Sequence, residues 1–318
     1  KRRPPRSTLF PPTTLFRSEL GQLLHQYMNV EEDFVRELFF GSDTKMVRAF
    51  VNEKAIEPHM EILDYQSATQ VIETAEHIGL SMCYCRHKME HVDLACDAPM
   101  DICMTFGKTA ASLIKADYAR KIDKEECLQL LEEAYRNNLV QIGENVQNEV
   151  AFICNCCGCC CEALLAAKKF GTAQTIATTA FIPELSPHLC IKCGKCQRVC
   201  PLEALGVAGE KALPELDREM CLGCGVCVRA CPTDALALVD VGQRQMTPVN
   251  TAHRVVLTAI DKGLLPELIF DNKELASHRL LAGIFQVILK LPPLKQLAAN
   301  EQLRSTYLVK LIEKSKGK

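Results

Sequence analysis

Cysteine is the residue whose number and spacing in this chain could do chemistry. Of nineteen cysteines, eighteen fall into three tight groups, and Cys127 stands alone. The most regular group reads Cys190-x-x-Cys193-x-x-Cys196-x-x-x-Cys200-Pro201 and returns as Cys221-x-x-Cys224-x-x-Cys227-x-x-x-Cys231-Pro232. Two-residue gaps let three thiolates of one loop wrap three corners of an iron–sulfur cubane, while the fourth cysteine of each run ligates the other cluster. That logic assigns Cys190, Cys193, Cys196 and Cys231 to one [4Fe-4S] cluster, and Cys221, Cys224, Cys227 and Cys200 to a second. Gly194, Gly223 and Gly225 allow the tight backbone such loops need. Pro201 and Pro232 suit a first helical turn, where a missing N–H costs nothing. Ala204-Leu205 and Ala235-Leu236 follow at the same offset, so the halves repeat 31 residues apart and imply a pseudo-twofold unit. Zinc knuckles use two cysteine pairs around one tetrahedral ion, and need neither the third evenly spaced cysteine nor the Cys-Pro.

With every ligand position filled, this segment resembles the bacterial two-[4Fe-4S] ferredoxin family. The resemblance implies a fold of strand pairs and short helices, and one-electron transfer between partner proteins.

Two further groups lie upstream: Cys83, Cys85, Cys96 and Cys103, and the run Cys154, Cys156, Cys157, Cys159, Cys160 and Cys161. The first four can supply a complete four-thiolate site, because the loop between Cys85 and Cys96 is long enough to fold back. Adjacent cysteines on a strand point to opposite faces, so the run of six cannot all serve one metal without irregular backbone, which Gly158 permits. Three readings stay open for these ten: an additional iron–sulfur cluster on Cys83, Cys85, Cys96 and Cys103 with some of the later run nearby, a zinc or reactive-thiol centre, or buried structural cysteines. Cys127 lies on an apolar helical face and reads as core. His87 and His91 read as solvated rather than as ligands.

Cys156-Cys157-Gly158 is similar to the CCG element of heterodisulfide-reductase-type subunits, without the Cys-x-x-Cys that closes that family's pattern. The order of features over residues 51–238 is more telling: Cys-x-Cys-Arg, a spaced cysteine pair, a capped helix, the cysteine run and then the dicluster segment. It resembles a family of 4Fe-4S dicluster-containing proteins of anaerobic bacteria and archaea. Proteins of that family have mostly undefined partners, and the reading adopted for this chain is a subunit or partner of an anaerobic oxidoreductase.

The elements that must position these thiols read as α+β. Residues 1–18, with two near-inverted Ser/Thr/Leu/Phe stretches around prolines and no initial Met, look like a non-native or disordered leader outside the fold. Residues 19–161 form a mixed α/β domain with the Cys-rich site, 162–188 a linker or helix, 189–240 the dicluster domain and 241–318 a helical extension. Asp64 is expected to cap a helix bearing Ala68, Val71, Ile72 and Ala75 and ending at Gly79, and residues 78–82 lead into Cys83. Asp123 and Glu126 form a capping-box variant for a helix with Cys127, Leu130, Leu131 and Ala134 on one face. Residues 139–142 and 150–153 read as two strands running into Cys154. Residues 251–262 and 274–291 read as helices, the second with Leu281, Ile284, Phe285 and Ile288 on one face.

Composition narrows the function classes. A long chain with an odd cysteine count and no secretory signal does not fit a disulfide scaffold. Net charge is −2 and Trp is absent, so neither a basic footprint nor a stacking platform for nucleic acid is present. The longest apolar stretch, residues 280–289, is half of what a membrane span needs. No dinucleotide fingerprint, Walker loop or hydrolase motif occurs. The sequence therefore reads as a cytoplasmic iron–sulfur electron carrier serving redox partner proteins or oxidoreductase subunits. The alternatives are an oxidoreductase with its own active site at the upstream cysteines, and a redox or oxygen sensor.

Overall fold

Short apolar segments lead into each upstream cysteine group as strands, Ile78–Met82 before Cys83 and Phe152–Cys156 through Cys154 and Cys156. The computed structural model describes residues 14–56, 67–207, 212–242 and 245–269. Strands β1 Val47–Ala49, β2 Ile78–Met82, β3 Asp101–Phe106, β4 Arg120–Ile122, β5 Val140–Glu144 and β6 Phe152–Cys156 form one antiparallel sheet. Their order is β1-β5-β6-β3-β2-β4. In β3 the residues Ile102, Met104 and Phe106 are buried while Cys103 faces the other way.

Helices α1 Thr14–His25, α2 Glu32–Phe40, α3 Ala68–Thr74, α4 Tyr84–Glu90, α5 Gly107–Lys115, α6 Lys124–Arg136 and α7 Glu162–Phe170 cover the sheet. Ile72 of α3 and Cys127, Leu131 and Tyr135 of α6 pack on Ile78, Leu80, Met104 and Ile153. Val35 and Phe39 of α2 and Leu164 and Ala167 of α7 pack with Val140, Ile142 and Cys156. Cys127 is core as expected, fully buried with its Sγ 3.5 Å from Met104 Sδ.

Four local expectations differ in the structure. Thr14–Ser18, set outside the fold as leader, form the start of α1, because the helix that continues to His25 extends back through them. Helix α3 is capped by Ser67, whose Oγ accepts from Gln70 N at 3.0 Å, whereas Asp64 lies outside the described residues. That helix ends at Thr74, since Ala75 is already extended, and Gly79 lies within β2 with its Cα facing Thr105. Asp123 caps α6 by accepting from Glu126 N at 2.8 Å, but the Glu126 carboxylate pairs with Arg120 and does not return to the cap. The expected helix over 274–291 lies outside the described residues.

The dicluster segment is built on two short strand pairs. Strands β7 Phe181–Leu185 and β10 Leu236–Asp240 pair antiparallel, as do β8 Leu205–Val207 and β9 Pro214–Leu216, with helices α8 Lys195–Val199 and α9 Val226–Arg229 between. Its outer strand β7 thus comes from the segment between Cys161 and Cys190. Leu202, Leu222 and Val226 join the core around Cys156 and Cys161. Asn52 N donates to Cys224 O at 3.0 Å, and Thr179 N donates to Leu222 O at 3.0 Å. Helix α10 Thr251–Asp261, followed by α11 Leu265–Ile269, returns to the sheet, where Arg254 pairs with buried Glu144 at 3.0 Å. No helix among the described residues is long and apolar enough to cross a membrane.

Candidate iron–sulfur and thiolate sites

Alternation along β6 sets the first arrangement. Asn155 is locked by donating to Ile102 O at 2.8 Å and accepting from Gln141 Nε2 at 2.9 Å, so Cys154 and Cys156 share the opposite direction. Cys103 on β3, Cys83 after β2, Cys85 in the first turn of α4 and Cys161 at the cap of α7 complete the set. Each thiol neighbours the next in the order Cys83, Cys103, Cys154, Cys156, Cys161, Cys85. Hydrogen bonds from Cys156 and Cys85, and then from the Leu164 and Ala163 amides, hold the Cys161 thiol well below its usual range.

The second arrangement begins where the strand stops. Cys161 N donates to Cys157 O at 3.2 Å, closing a turn that gathers Cys157, Cys159 and Cys160. Cys96 meets them from the loop after α4, 3.5 Å from Cys157 and 3.8 Å from Cys160, while Cys159 and Cys160 are 3.7 Å apart. All four sulfurs lie within 4.8 Å of one another. Hydrogen bonding, from Cys159 foremost, lowers the Cys157 thiol to about 6.

The ten upstream cysteines therefore divide six and four. The structure does not bring Cys96 to Cys83, Cys85 and Cys103. Helix α4 lies between them, and its seven residues carry the chain roughly 10 Å onward. Arg86, on that helix, is fully buried, and sequence reasoning did not single it out. Its guanidinium donates to Pro99 O at 2.6 Å and to Asn155 O at 2.7 Å. An arginine directly after Cys-x-Cys was the available signal. Lys88 and Glu162 form a buried ion pair at 2.7 Å, and Asn29 donates to the same carboxylate at 3.0 Å. Burial raises Glu162 above the usual carboxylate range despite Lys88. The pair ties α4 to α7 and so fixes the two helices that carry Cys85 and Cys161. His87 and His91 meet edge to face, ring centroids 4.7 Å apart, and neither belongs to the four-thiol group.

The dicluster segment shows its repeat in the backbone. Positive φ recurs at positions 31 residues apart: Lys192 and Gly223, Gly194 and Gly225, Glu203 and Asp234. Ala204 N points at Cys200 Sγ and Ala235 N at Cys231 Sγ, each at 3.3 Å. One cavity is lined by Cys190, Cys193, Cys196 and Cys231. Another is lined by Cys200, Cys221, Cys224 and Cys227. Residues 189–235 match the family described as 4Fe-4S dicluster domain. No curated protein and no solved structure matches the chain.

This ferredoxin-type domain gives the chain an iron–sulfur electron-transfer role. Its donors suit such a group: cysteines around two cavities, with amides aimed at sulfur. Burial pushes the Cys221 thiol up to about 11 and Cys224 up to about 12, so loading with metal must release protons that these thiols otherwise keep.

The two halves differ in exposure. Ile191 is 63% exposed and its counterpart Leu222 is 3% exposed. Lys192, Cys193, Lys195 and Arg198 face solvent, whereas Gly223, Val226 and Cys227 are buried, Gly223 against Phe181 and Thr179, Val226 in the core with Val140 and Leu164, and Cys227 against Leu205 and Leu236. The end of the first repeat, whose Cys200 lines the second cavity, touches the cysteine run. A Cβ on Gly158 would fall 2.1 Å from Pro201 O, next to Cys200.

Proposed function

We propose that the chain is an electron-transfer subunit or partner of an oxidoreductase, carrying two [4Fe-4S] clusters in its ferredoxin-type domain. Cys190, Cys193, Cys196 and Cys231 would hold the outer cluster, and Cys221, Cys224, Cys227 and Cys200 the inner one. The observation that carries this reading is the pair of cavities, each lined by three cysteines of one half and the fourth of the other. When bound, each such cluster accepts and donates single electrons. The protein's own residues orient that exchange. The exposed loop presents Lys192, Lys195 and Arg198 around Cys193, a basic rim that fits an acidic redox partner. The buried loop packs on Asn52 and Thr179, and Pro201, next to Cys200, packs on Gly158.

The arc Cys83, Cys103, Cys154, Cys156, Cys161 and Cys85 supports an additional iron–sulfur cluster beyond the ferredoxin pair. Its thiols adjoin in sequence around a line and do not converge on one point, which suits a polynuclear centre. An oxidoreductase reading, with turnover at the upstream cysteines, is favoured by one feature: Cys159 is exposed while its neighbours Cys160 and Cys161 are buried.

Anaerobic iron and sulfide analysis with EPR of the reduced chain tests the proposal. Two [4Fe-4S] clusters bring about eight irons, and a cluster on the arc adds to that number. Cys200→Ser should alter the same EPR signal as Cys224→Ser and leave the signal altered by Cys193→Ser. Zinc in place of most of the iron, or Cys200→Ser grouping with Cys193→Ser, would overturn it.

A further inference from the structure

The four-thiol group differs in kind from the other cysteine sets. An ion held by four thiolates at about 2.3 Å in a tetrahedron places those sulfurs roughly 3.8 Å apart. The separations at Cys96–Cys157, Cys159–Cys160 and Cys160–Cys96 are 3.5, 3.7 and 3.8 Å. A cubane attaches each thiolate to a different iron, which spreads them more widely. Among the described residues, Cys96, Cys157, Cys159 and Cys160 are the group whose ligand atoms all lie within 4.8 Å; the eight ferredoxin cysteines contain no such set. The size of the space thus fits one atom.

Charge gives a second, independent argument. Arg86 is fully buried; its guanidinium donates to two neutral backbone carbonyls, Pro99 O and Asn155 O, and also meets the Cys157 thiol. The groups that act on it most strongly are Cys83, Cys157 and Cys96. Its Nε has no hydrogen-bond partner. A buried cation is costly unless an anion accompanies it. A divalent ion with four thiolates carries net charge −2 and supplies that anion beside Arg86. The turn geometry agrees: a bond from Cys161 N to Cys157 O lets Cys157, Cys159 and Cys160 converge, and Cys161 leaves to cap α7.

We propose that Cys96, Cys157, Cys159 and Cys160 hold a single divalent ion, zinc or iron, as a mononuclear tetrathiolate without bridging sulfide, with Arg86 as its buried counter-cation. Binding takes one M2+ with all four sulfurs as thiolates and releases to solvent the protons of those still protonated, with no change of oxidation state. This centre is separate from the ferredoxin clusters and does not depend on them.

The test is metal and sulfide stoichiometry of the full chain purified anaerobically. Intact [2Fe-2S] and [4Fe-4S] clusters contain iron and sulfide one for one. The expected result is therefore about one zinc per chain, or iron exceeding inorganic sulfide by about one, the two arms telling zinc from iron. If the centre is vacant as purified, added Co(II) should be taken up to one equivalent with a tetrathiolate spectrum. Cys96→Ala should remove that equivalent and leave sulfide unchanged, while Cys85→Ala should not remove it. Arg86→Gln should weaken retention against a chelator by about 10–100-fold, the usual effect of losing a group that supports the ligands. Loss of iron and sulfide together in Cys96→Ala would overturn the mononuclear assignment. So would wild-type chain with no excess metal and no cobalt uptake, a readout that holds even if the variants fail to fold. EPR of the ferredoxin clusters is read separately, so failure of one proposal leaves the other visible.

Discussion

Gly158→Ala is the most direct probe of how the upstream thiols meet the ferredoxin-type domain. The added Cβ would lie 2.1 Å from Pro201 O, 2.9 Å from its C and 3.0 Å from its Cα. These are backbone atoms, so no side chain can swing away. Ordinary carbon contact needs about 3.5 Å, and the two loops must therefore part by about 1 Å. Overpacking of this kind costs about 1–3 kcal/mol. It also moves Cys157 and Cys159 away from Cys200, the neighbour of Pro201. Gly206→Ala is the matched control, because nothing lies within 4 Å of its added Cβ. Denaturant unfolding of the metal-loaded chain should show a lower midpoint for Gly158→Ala with an unchanged m-value, and a shift within about 0.5 kcal/mol for Gly206→Ala. Stopped-flow reduction should show the ferredoxin signal filling normally while any upstream centre fills more slowly. Equal stability of the two variants, together with unaltered upstream reduction, would refute the argument that these loops are in contact and that the contact carries electrons.

Other perturbations separate the two halves of the domain. Gly223→Ala combines a positive φ, worth about 1–2 kcal/mol of strain, with a Cβ 2.0 Å from Phe181 O. It should cost inner-cluster iron measurably more than Gly194→Ala, whose nearest obstacle is the movable end of Arg198 at 3.1 Å. Reversing Lys192, Lys195 and Arg198 to Glu should slow reduction by an acidic redox protein by about tenfold at low salt, and the difference should shrink as salt rises. No change at low salt would remove the basic rim from the docking surface. Burial raises the Cys127 thiol to about 12, against about 8.5 in the unfolded chain. Its contribution is therefore fully present below pH 8.5 and lost as pH climbs toward 12, because the unfolded chain ionises first. Cys127→Ala should flatten that alkaline decline in pH-dependent unfolding.

The ferredoxin-type segment was legible because its spacing is local: each loop supplies three thiols, and the chain alone fixes their order. Helix α6 and strands β5 and β6 were legible for the same reason, through Asp123, the Cys127–Leu131–Ala134 face and the apolar runs before Cys154. The upstream sites were not legible as sets. Spacing puts Cys83, Cys85, Cys96 and Cys103 close in the chain, yet α4 separates Cys96 from the first two, and sheet pairing brings Cys103 to Cys154. The run 154–161 then divides by geometry: strand alternation gives Cys154 and Cys156 to one site, the turn gives Cys157, Cys159 and Cys160 to the other, and helix capping returns Cys161 to the first. Such partition depends on tertiary pairing, which no local pattern encodes. Arg86 was missed because its role exists only once the thiols surround it.

The asymmetry of the two ferredoxin halves argues for a direction of passage. In the outer loop Ile-Lys-Cys-Gly-Lys-Cys keeps its lysines in water; in the inner loop Leu-Gly-Cys-Gly-Val-Cys has no charge to desolvate and can be packed away. A symmetric carrier exchanging electrons at either face would gain nothing from burying one loop on Asn52 and Thr179. Burial removes that face from outside partners and leaves the N-terminal thiols as its neighbours. Leu205, Cys227 and Leu236 pack with Cys196 and Cys231 between the two cavities, so the path from the outer loop inward runs through packed protein rather than water. On the proposed reading, electrons entering at the basic rim would pass inward toward the cysteine-rich sites. If the domain instead served two external partners, masking the inner face by fusion to the N-terminal domain would abolish exchange, and carving the contact open with Gly158→Ala would speed it, the opposite of the effect expected here.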